Sequence, residues 1–196
     1  MDDAAKKIEE NWNKFRQLCN RLGDRTKAVN RMLDHFEQRA ALTPASSRIE
    51  YHNAFPGGLI DHSLRVLSNL NKLVKAYDLD NEISKDSMIV AGLFHDWGKV
   101  GSIDEDLYLD QQSDWHRDRG MMYTHNRAMQ YMTTSHRALF IFQQFGIRLT
   151  EDEFLSILLN DGMYIDDNKP YRMKEPTLAM LVHHADRMSC QQEKAG

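Results

Sequence analysis

An all-α fold is what this chain predicts, and three observations carry the prediction. Apolar residues recur at three- and four-residue steps through most of its length, as one face of a helix requires. Start and stop signals cut those runs into helices of ordinary length. With 196 residues, 41% of them hydrophobic and 28% charged, the chain is long enough for one substantial core beneath a solvated surface.

Ile8, Trp12, Phe15, Leu18 and Leu22 form the first apolar stripe, and Gly23 follows as a stop. Val29, Met32, Leu33 and Phe36 form a second stripe. The segment from Leu42 to Gly58 carries two prolines and two glycines and reads as a loop. Leu59, Val66, Leu70, Leu73 and Tyr77 predict a strong helix over 59–77. The run SMIVAGLF then predicts a buried helix, from about Ser84 or Asp86 to the pair His95-Asp96. Val100 to about Thr124 has no sustained period and reads as a long loop, which in a compact domain is more often functional than idle.

A further helix is expected from roughly Thr134 to Phe145, with Gly146 beyond its end. Thr150 and Glu153 supply a capping box ahead of FLSILL. Asn160 to Glu175 is a second long loop, and Pro176 fits the first turn of a last helix from Thr177 to about Met188. The expected organisation is a single domain over 1–196. Its N-terminal helices, 1–41, pack on or beside a core over 51–188.

Several function classes are disfavoured before any motif is considered. A formal charge of −4 and a pI near 6.1 give no global attraction to phosphate backbones, so nucleic acid is not the expected main partner. Cys19 and Cys190 are the only cysteines, far apart and outside any CxxC pattern. This argues against a disulfide framework or a thiolate zinc site and suits a reducing cytoplasm. The N-terminal MDDAAKKIEENW is charged and lacks an apolar centre, so no secretory signal is expected. No apolar run approaches the roughly 20 residues that span a bilayer. A cytoplasmic protein with no membrane partner is the expectation.

Four polar side chains break the apolar faces of these helices. His62 lies on the stripe of Leu59, Val66 and Leu70. His95 shares a face with Met88, Ala91 and Gly92, and Asp96 with Ile89, Gly92 and Leu93. Asp186 lies with Ala179, Val182 and His183. A single histidine on an apolar face is commonly a hydrogen-bonded core residue. Four metal-competent groups from three helices, all turned inward, point further. A divalent cation supplies the charge that two inward carboxylates and two imidazoles require. Nitrogen and oxygen donors of this kind suit Mn, Fe, Co, Ni, Zn or Mg and leave positions for water and substrate oxygens.

At these residues the sequence resembles the HD superfamily of metal-dependent phosphohydrolases. GGLIDHSLRV surrounds the first histidine, AGLFHDWGKVG the His-Asp pair, and LVHHADRMS the last aspartate. The blocks look most like the HD domains of bacterial 3'→5' exoribonucleases and of small bacterial and phage nucleotide phosphohydrolases. The resemblance runs from about Tyr51 to Met188. It implies an all-α HD-domain helical bundle with one or two extra N-terminal helices, and His62, His95, Asp96 and Asp186, all on helices, as ligands of one divalent metal. Gly92 and Gly98 are expected to give room for close approach of the ion.

The same resemblance gives Asp96 a second task, orienting or deprotonating the attacking water. It also places Lys99 to reach a phosphate oxygen, although outside the motif Lys99 would read as a solvated lysine. Two-metal HD domains usually add histidines further on. His136 matches the first of these, but Asn160-Asp161 stands where a histidine pair is usual, which leaves a second ion open. Asp161 could still ligate an ion or bind substrate through a water, or Asn160-Asp161-Gly162 could simply end a helix. His52, His116, Arg117, His125, Tyr164 and Lys169 lie in predicted loops around the pocket, and Trp115 or Tyr164 could stack on a base. His183, one turn before Asp186, could support the ligands.

The expected activity is hydrolysis of a nucleotide, a nucleoside mono- or triphosphate of the ribo or deoxy series. A 3'→5' exonuclease or cyclic-nucleotide phosphodiesterase is the alternative within the enzymes. Such exonucleases usually carry an oligonucleotide-binding β-barrel before the HD domain, whereas the residues before His62 read mostly as helices. A turnover-deficient nucleotide- or protein-binding regulator is the alternative outside them. The amphipathic N-terminal helices can pack on their own domain or on a second subunit, which leaves a homo-oligomer open.

Overall fold

The computed structural model describes residues 3–194 and is built almost wholly of helices. Helix α1 spans Asp3–Cys19 and α2 spans Thr26–Leu42, joined by a 3-10 turn at Gly23–Arg25. Helix α3 (Gly58–Ala76) follows the predicted loop, and α4 (Lys85–Phe94) begins at the N-cap Ser84, whose hydroxyl accepts from the Ser87 amide at 3.0 Å. A 3-10 turn, Trp97–Val100, comes directly after His95-Asp96. Asp96 therefore sits in the junction beyond α4 rather than on a helix.

The expected loop from Val100 to Thr124 contains more structure than its sequence signals. Strand β1 (Tyr108–Asp110) pairs antiparallel with β2 (Tyr123–His125), and the short helix α5 (Asp114–Arg117) lies between them. Three-residue strands are too short for alternation to be read from sequence. Their register sets Tyr108 opposite His125. Backbone bonds fasten this ribbon to the loop before α3: the Met122 amide donates to Ser47 at 2.9 Å and the Ile49 amide to Gly120 at 2.9 Å.

Helix α6 (Thr134–Gln144) and α7 (Glu151–Leu158) follow, and α8 runs over Thr177–Lys194, six residues beyond the expected end. The capping box at Thr150 and Glu153 forms as predicted. The fully buried Glu153 carboxylate also accepts from Arg25 at 2.6 Å and from the Ser87 hydroxyl at 2.9 Å, so one side chain ties α7 to α4 and to the turn before α2.

Helix α3 lies between two apolar clusters and packs mainly on α4 and α8. On one side Phe15, Leu33 and Phe36 of the first two helices join Leu59, Phe94, Trp97 and Phe142. On the other, Val66, Leu70 and Val74 meet Leu178, Leu181 and Val182 of α8. The N-terminal helices thus share the main core. Each such buried side chain contributes about 1.5–3 kcal/mol. Trp97 is the pivot: its ring stacks on Phe15 at 5.8 Å and meets Phe94 and Phe36 edge-on at 5.2 and 6.1 Å, which fixes the turn just after Asp96.

Gly92 and Gly98 serve this packing, not the approach of an ion. A Cβ on Gly92 would stand 3.1 Å from the Cα of Leu67 in α3. One on Gly98 would lie 2.0 Å from the carbonyl oxygen of Thr134. Among the described residues no helix is long and apolar enough to cross a membrane. Gly98→Ala forces the Trp97–Val100 turn away from α6, because the obstacle is backbone. It is expected to cost about 3 kcal/mol and to lower the melting temperature by roughly 6–12 °C, read by thermal unfolding. An unchanged transition would contradict this packing.

Candidate metal centre

Three helices deliver the inward polar groups to one place. His62 projects from the first turns of α3, His95 caps α4, Asp96 follows in the turn fixed by Trp97, and Asp186 comes from the middle of α8. His62 and His95 are fully buried, and Asp96 nearly so. Their Nε2 atoms face each other at 3.3 Å. Asp186 Oδ1 lies 3.0 Å from Nε2 of His62 and 3.9 Å from Nε2 of His95, and Asp96 Oδ2 lies 3.8 and 3.5 Å from the same two atoms.

The far side of each imidazole decides what the near side can do. His95 Nδ1–H donates to the Gly92 carbonyl at 3.1 Å. His62 Nδ1–H donates to the Glu193 carboxylate, 3.0 Å from Oε2 and 3.2 Å from Oε1. Both Nε2 atoms are thereby turned into the same space, where a carboxylate–imidazole pair is the usual support for a metal ligand. A proton on His62 Nε2, shared with Asp186 Oδ1 at 3.0 Å, fills part of this space, and a divalent cation in its place would draw on both Nε2 lone pairs. Donor atoms bound to one ion at about 2.1 Å stand about 3–3.5 Å apart, close to the separations seen here. The donor set fits a divalent metal, and His62, His95 and Asp186 have ligand atoms all within 4.8 Å of one another. A further group, His52, His62 and Cys190, shares His62 with it and so describes no separate site.

The electrostatics of the cluster show the same demand for positive charge. Burial opposes ionisation of His62, but the Asp186 and Glu193 carboxylates outweigh it and raise its pKa to about 9. Burial also works against charge on Asp186, and the hydrogen bond from His62 with the nearby His95 overrides it, bringing that carboxyl down to about 2. Asp96 is likewise held well below the usual carboxylate range, against its burial, by Lys99 and His95. Lys99 Nζ lies 2.5 Å from Asp96 Oδ2, and this contact outweighs burial and raises the lysine.

A cavity of about 730 Å³ opens beside the cluster. Asp96, Lys99 and Asp186 line its floor, and His52, Asp161 and Tyr164 stand on its walls. The His52 ring lies 4.7 Å from that of His62, and its buried Nε2 has no hydrogen-bond partner among the described residues. Burial and the neighbouring Lys99 push this histidine down to about 3. The Asp161 carboxyl is raised by burial and by Asp96. Tyr164 is 65% exposed at the rim.

Other candidates lie elsewhere. His136 is exposed on α6, bonded through Nδ1 to Thr133 at 2.6 Å, and borders a separate apolar groove with Leu139 and Phe140. Trp115 is 56% exposed under the Arg119 guanidinium, 3.6 Å from its ring centroid. Arg117 closes the ribbon by donating to the Gln111 carbonyl at 2.6 Å and pairing with Asp114. His116 bonds to Ser113, and Lys169 pairs with Asp166 at 2.7 Å. All four belong to loop-closing contacts that residue type alone does not distinguish from a pocket rim.

Asn160 is structural. Its buried amide donates to the His95 carbonyl at 3.0 Å and to Asp96 Oδ1 at 3.4 Å, while its side-chain oxygen accepts from Ser135 at 3.1 Å. His183 Nδ1–H donates to the Asn160 carbonyl at 2.9 Å, and Gly162, at φ +87°, lies so close beneath the His183 ring that a Cβ would stand 2.4 Å from it. The departure from a histidine pair thus buttresses the Asp96 end of the cluster.

Three residues at the site escaped the sequence. Glu193, seven residues beyond Asp186, and Cys190, four beyond, share its helix face. Extending the helix past Met188 would have exposed both. Cys190 Sγ lies 3.5 Å from Asp186 Oδ1, and burial followed by that carboxylate pushes its thiol up. Tyr108 arrives on the ribbon and carries no sequence signal. Glu193 is itself fixed by Arg65 at 3.1 Å. Glu193→Gln is expected to weaken divalent-metal affinity 10–100-fold with little change in fold, measured by metal-binding calorimetry. Equal affinity would deny it a part in orienting His62.

Comparison with known proteins bears on the same residues. The model of the family described as HD domain matches residues 59–190, well over half of the chain and a span that includes His62, His95, Asp96 and Asp186. No curated protein and no solved structure is similar enough to match. A divalent metal is the cofactor that this family and the donor cluster have in common, and phosphate-ester hydrolysis in general is its chemistry. The chain belongs to the HD-domain family and is a metal-dependent phosphohydrolase.

Proposed function

We propose that the substrate is a small nucleotide, a nucleoside mono- or triphosphate of the ribo or deoxy series, and that its phosphoester or phosphoanhydride is hydrolysed beside Asp96. In this reading His62, His95, Asp96 and Asp186 hold one ion. Bound there, the ion lends positive charge to phosphate oxygens and makes a water more acidic.

Lys99 is the observation that carries the reading. Its ammonium, with the side chain only 14% exposed, is kept largely from water at the floor of the cavity. Asp96 meets that charge from one side at 2.5 Å, and a phosphate oxygen entering the cavity can accept a charge-assisted hydrogen bond from one of the remaining N–H groups. Asp96 is ionised at neutral pH, since its carboxyl is held low, and Asn160 fixes its other oxygen. It is therefore an anionic hydrogen-bond acceptor suited to orient the attacking water. Asp161 and His52 stand where they can hydrogen-bond the phosphate or a bridging water, and the exposed ring of Tyr164 can stack on a base.

The test is a hydrolysis panel on the purified protein with added Mn²⁺, covering nucleoside mono- and triphosphates, cyclic nucleotides and short RNA and DNA. Turnover of the small nucleotides is expected, with a loss of 10²-fold or more (about 3 kcal/mol) in Lys99→Ala while metal stays bound. Asp96→Ala is expected to lose both metal and turnover. Full activity in Asp96→Ala, or turnover confined to oligonucleotides, would sink the reading.

A further inference from the structure

The cavity at Lys99 continues past the ribbon. Ser47, Tyr51 and His125 line both it and a neighbouring cavity of about 680 Å³. Arg48, Tyr123 and Arg127 add to the lining of this second space, which holds no carboxylate. Across Lys99 and Tyr108 lies a third cavity, of about 760 Å³, with the opposite character: Asp34, Glu37, Asp106 and Asp110 are among its walls. Lys99 thus lines both the acid-bearing space and the cavity beside the cluster, and the cation-lined space adjoins the latter through Ser47, Tyr51 and His125. In a chain of net charge −4, such a local reversal focuses field on one side only.

The second cavity is built from two segments that hydrogen-bond to each other. The loop before α3 supplies Arg48 and Tyr51, the ribbon supplies Tyr123, His125 and Arg127, and the Ser47–Met122 and Ile49–Gly120 bonds hold them together. Within the ribbon, Tyr108 faces His125 with ring centroids 5.3 Å apart, so one strand borders Lys99 while the other borders the arginines. Arg48 pairs with Glu50 at 3.0 Å, but both are solvent-accessible, and a pair of that kind is weak enough to yield to a ligand. Arg127 is exposed, and among the described residues no acid pairs with it.

We propose that this cation-lined cavity is a subsite for a second phosphate group of the substrate, next to the one bound at Lys99, with Arg48 and Arg127 as its cations and His125 as a further hydrogen-bonding group. The proposal rests on the phosphohydrolase reading of the Lys99 cavity and narrows it to substrates with more than one phosphate. Such a group can belong to the anhydride chain of a nucleoside polyphosphate or to the next phosphodiester of an oligonucleotide. The shared chemistry is two adjacent phosphates.

The experiment is calorimetric titration of the protein in excess Mn²⁺, with the same Mn²⁺ in the syringe so that chelation is matched. The probes are orthophosphate, non-hydrolysable imidodiphosphate, and a phosphorothioate thymidine dinucleotide with a 5′-phosphate. Imidodiphosphate or the dinucleotide is expected to bind at least tenfold more tightly than orthophosphate. The double variant Arg48→Gln/Arg127→Gln should lose that advantage while binding orthophosphate as before, and the probe affected names the source. Arg127→Gln alone, at an exposed position with no paired acid, should show part of the loss without any effect on folding. Equal probe affinities in the natural protein, or an advantage that survives in the double variant, would overturn the subsite. Failure of the Lys99 reading is seen separately, as orthophosphate binding that Lys99→Ala leaves unchanged.

Discussion

Two imidazoles and two carboxylates converge in the interior of this protein, and the rest of the structure is arranged around their need for a positive charge. Removing one ionised carboxylate from water costs several kcal/mol unless charge is returned to it. Here the return is local. The cluster carries positive charge on His62, whose pKa is about 9, and its geometry accepts a divalent ion through the same Nε2 atoms. Folding and function are coupled at this point, because the groups that would most destabilise an empty apolar core are the ones whose donor atoms fit the cofactor.

Each element near the cluster constrains one donor. Glu193, itself held by Arg65, fixes His62. The Gly92 carbonyl fixes His95, and Asn160 and Lys99 fix the two oxygens of Asp96. The aromatic packing of Trp97 against Phe15, Phe36 and Phe94 carries this outward, since it sets the turn in which Asp96 lies. The two N-terminal helices reach the turn of Asp96 through this indole, and α1 also reaches the start of α3 through Asn11 and Lys7 at Asp61.

The helical fold and the inward cluster were legible because both leave a periodic mark. An apolar stripe at three- and four-residue steps is visible, and so is a histidine that interrupts it. The three blocks around His62, His95-Asp96 and Asp186 together carry the family, and the match over 59–190 agrees with them. What escaped lacks a period or depends on distant contacts. The three-residue strands of the ribbon are too short to show alternation, so Tyr108 and the junction of cavities behind it were invisible. Glu193 lies beyond Met188, where the sequence predicts the last helix to end, although its spacing from Asp186 places it on the same helix face. His136, Trp115 and Arg117 show the converse. Residue type suits them to a pocket, but their partners are Thr133, Arg119, and Gln111 with Asp114. Gly92 and Gly98 were read as room for an ion, and they are room for Leu67 and Thr134.

If His62 ligates the ion, a proton and a divalent cation compete for its Nε2. Calorimetric titration of Mn²⁺ into the protein at pH 7, repeated in buffers of different ionisation enthalpy, counts the protons released per ion. His62 is protonated below its raised pKa of about 9, and ligation needs its Nε2 lone pair, so binding should expel close to one proton. Affinity should climb as pH rises toward 9 and level off above it. Metal binding without proton release, or with a release that His62→Gln leaves intact, would contradict the account.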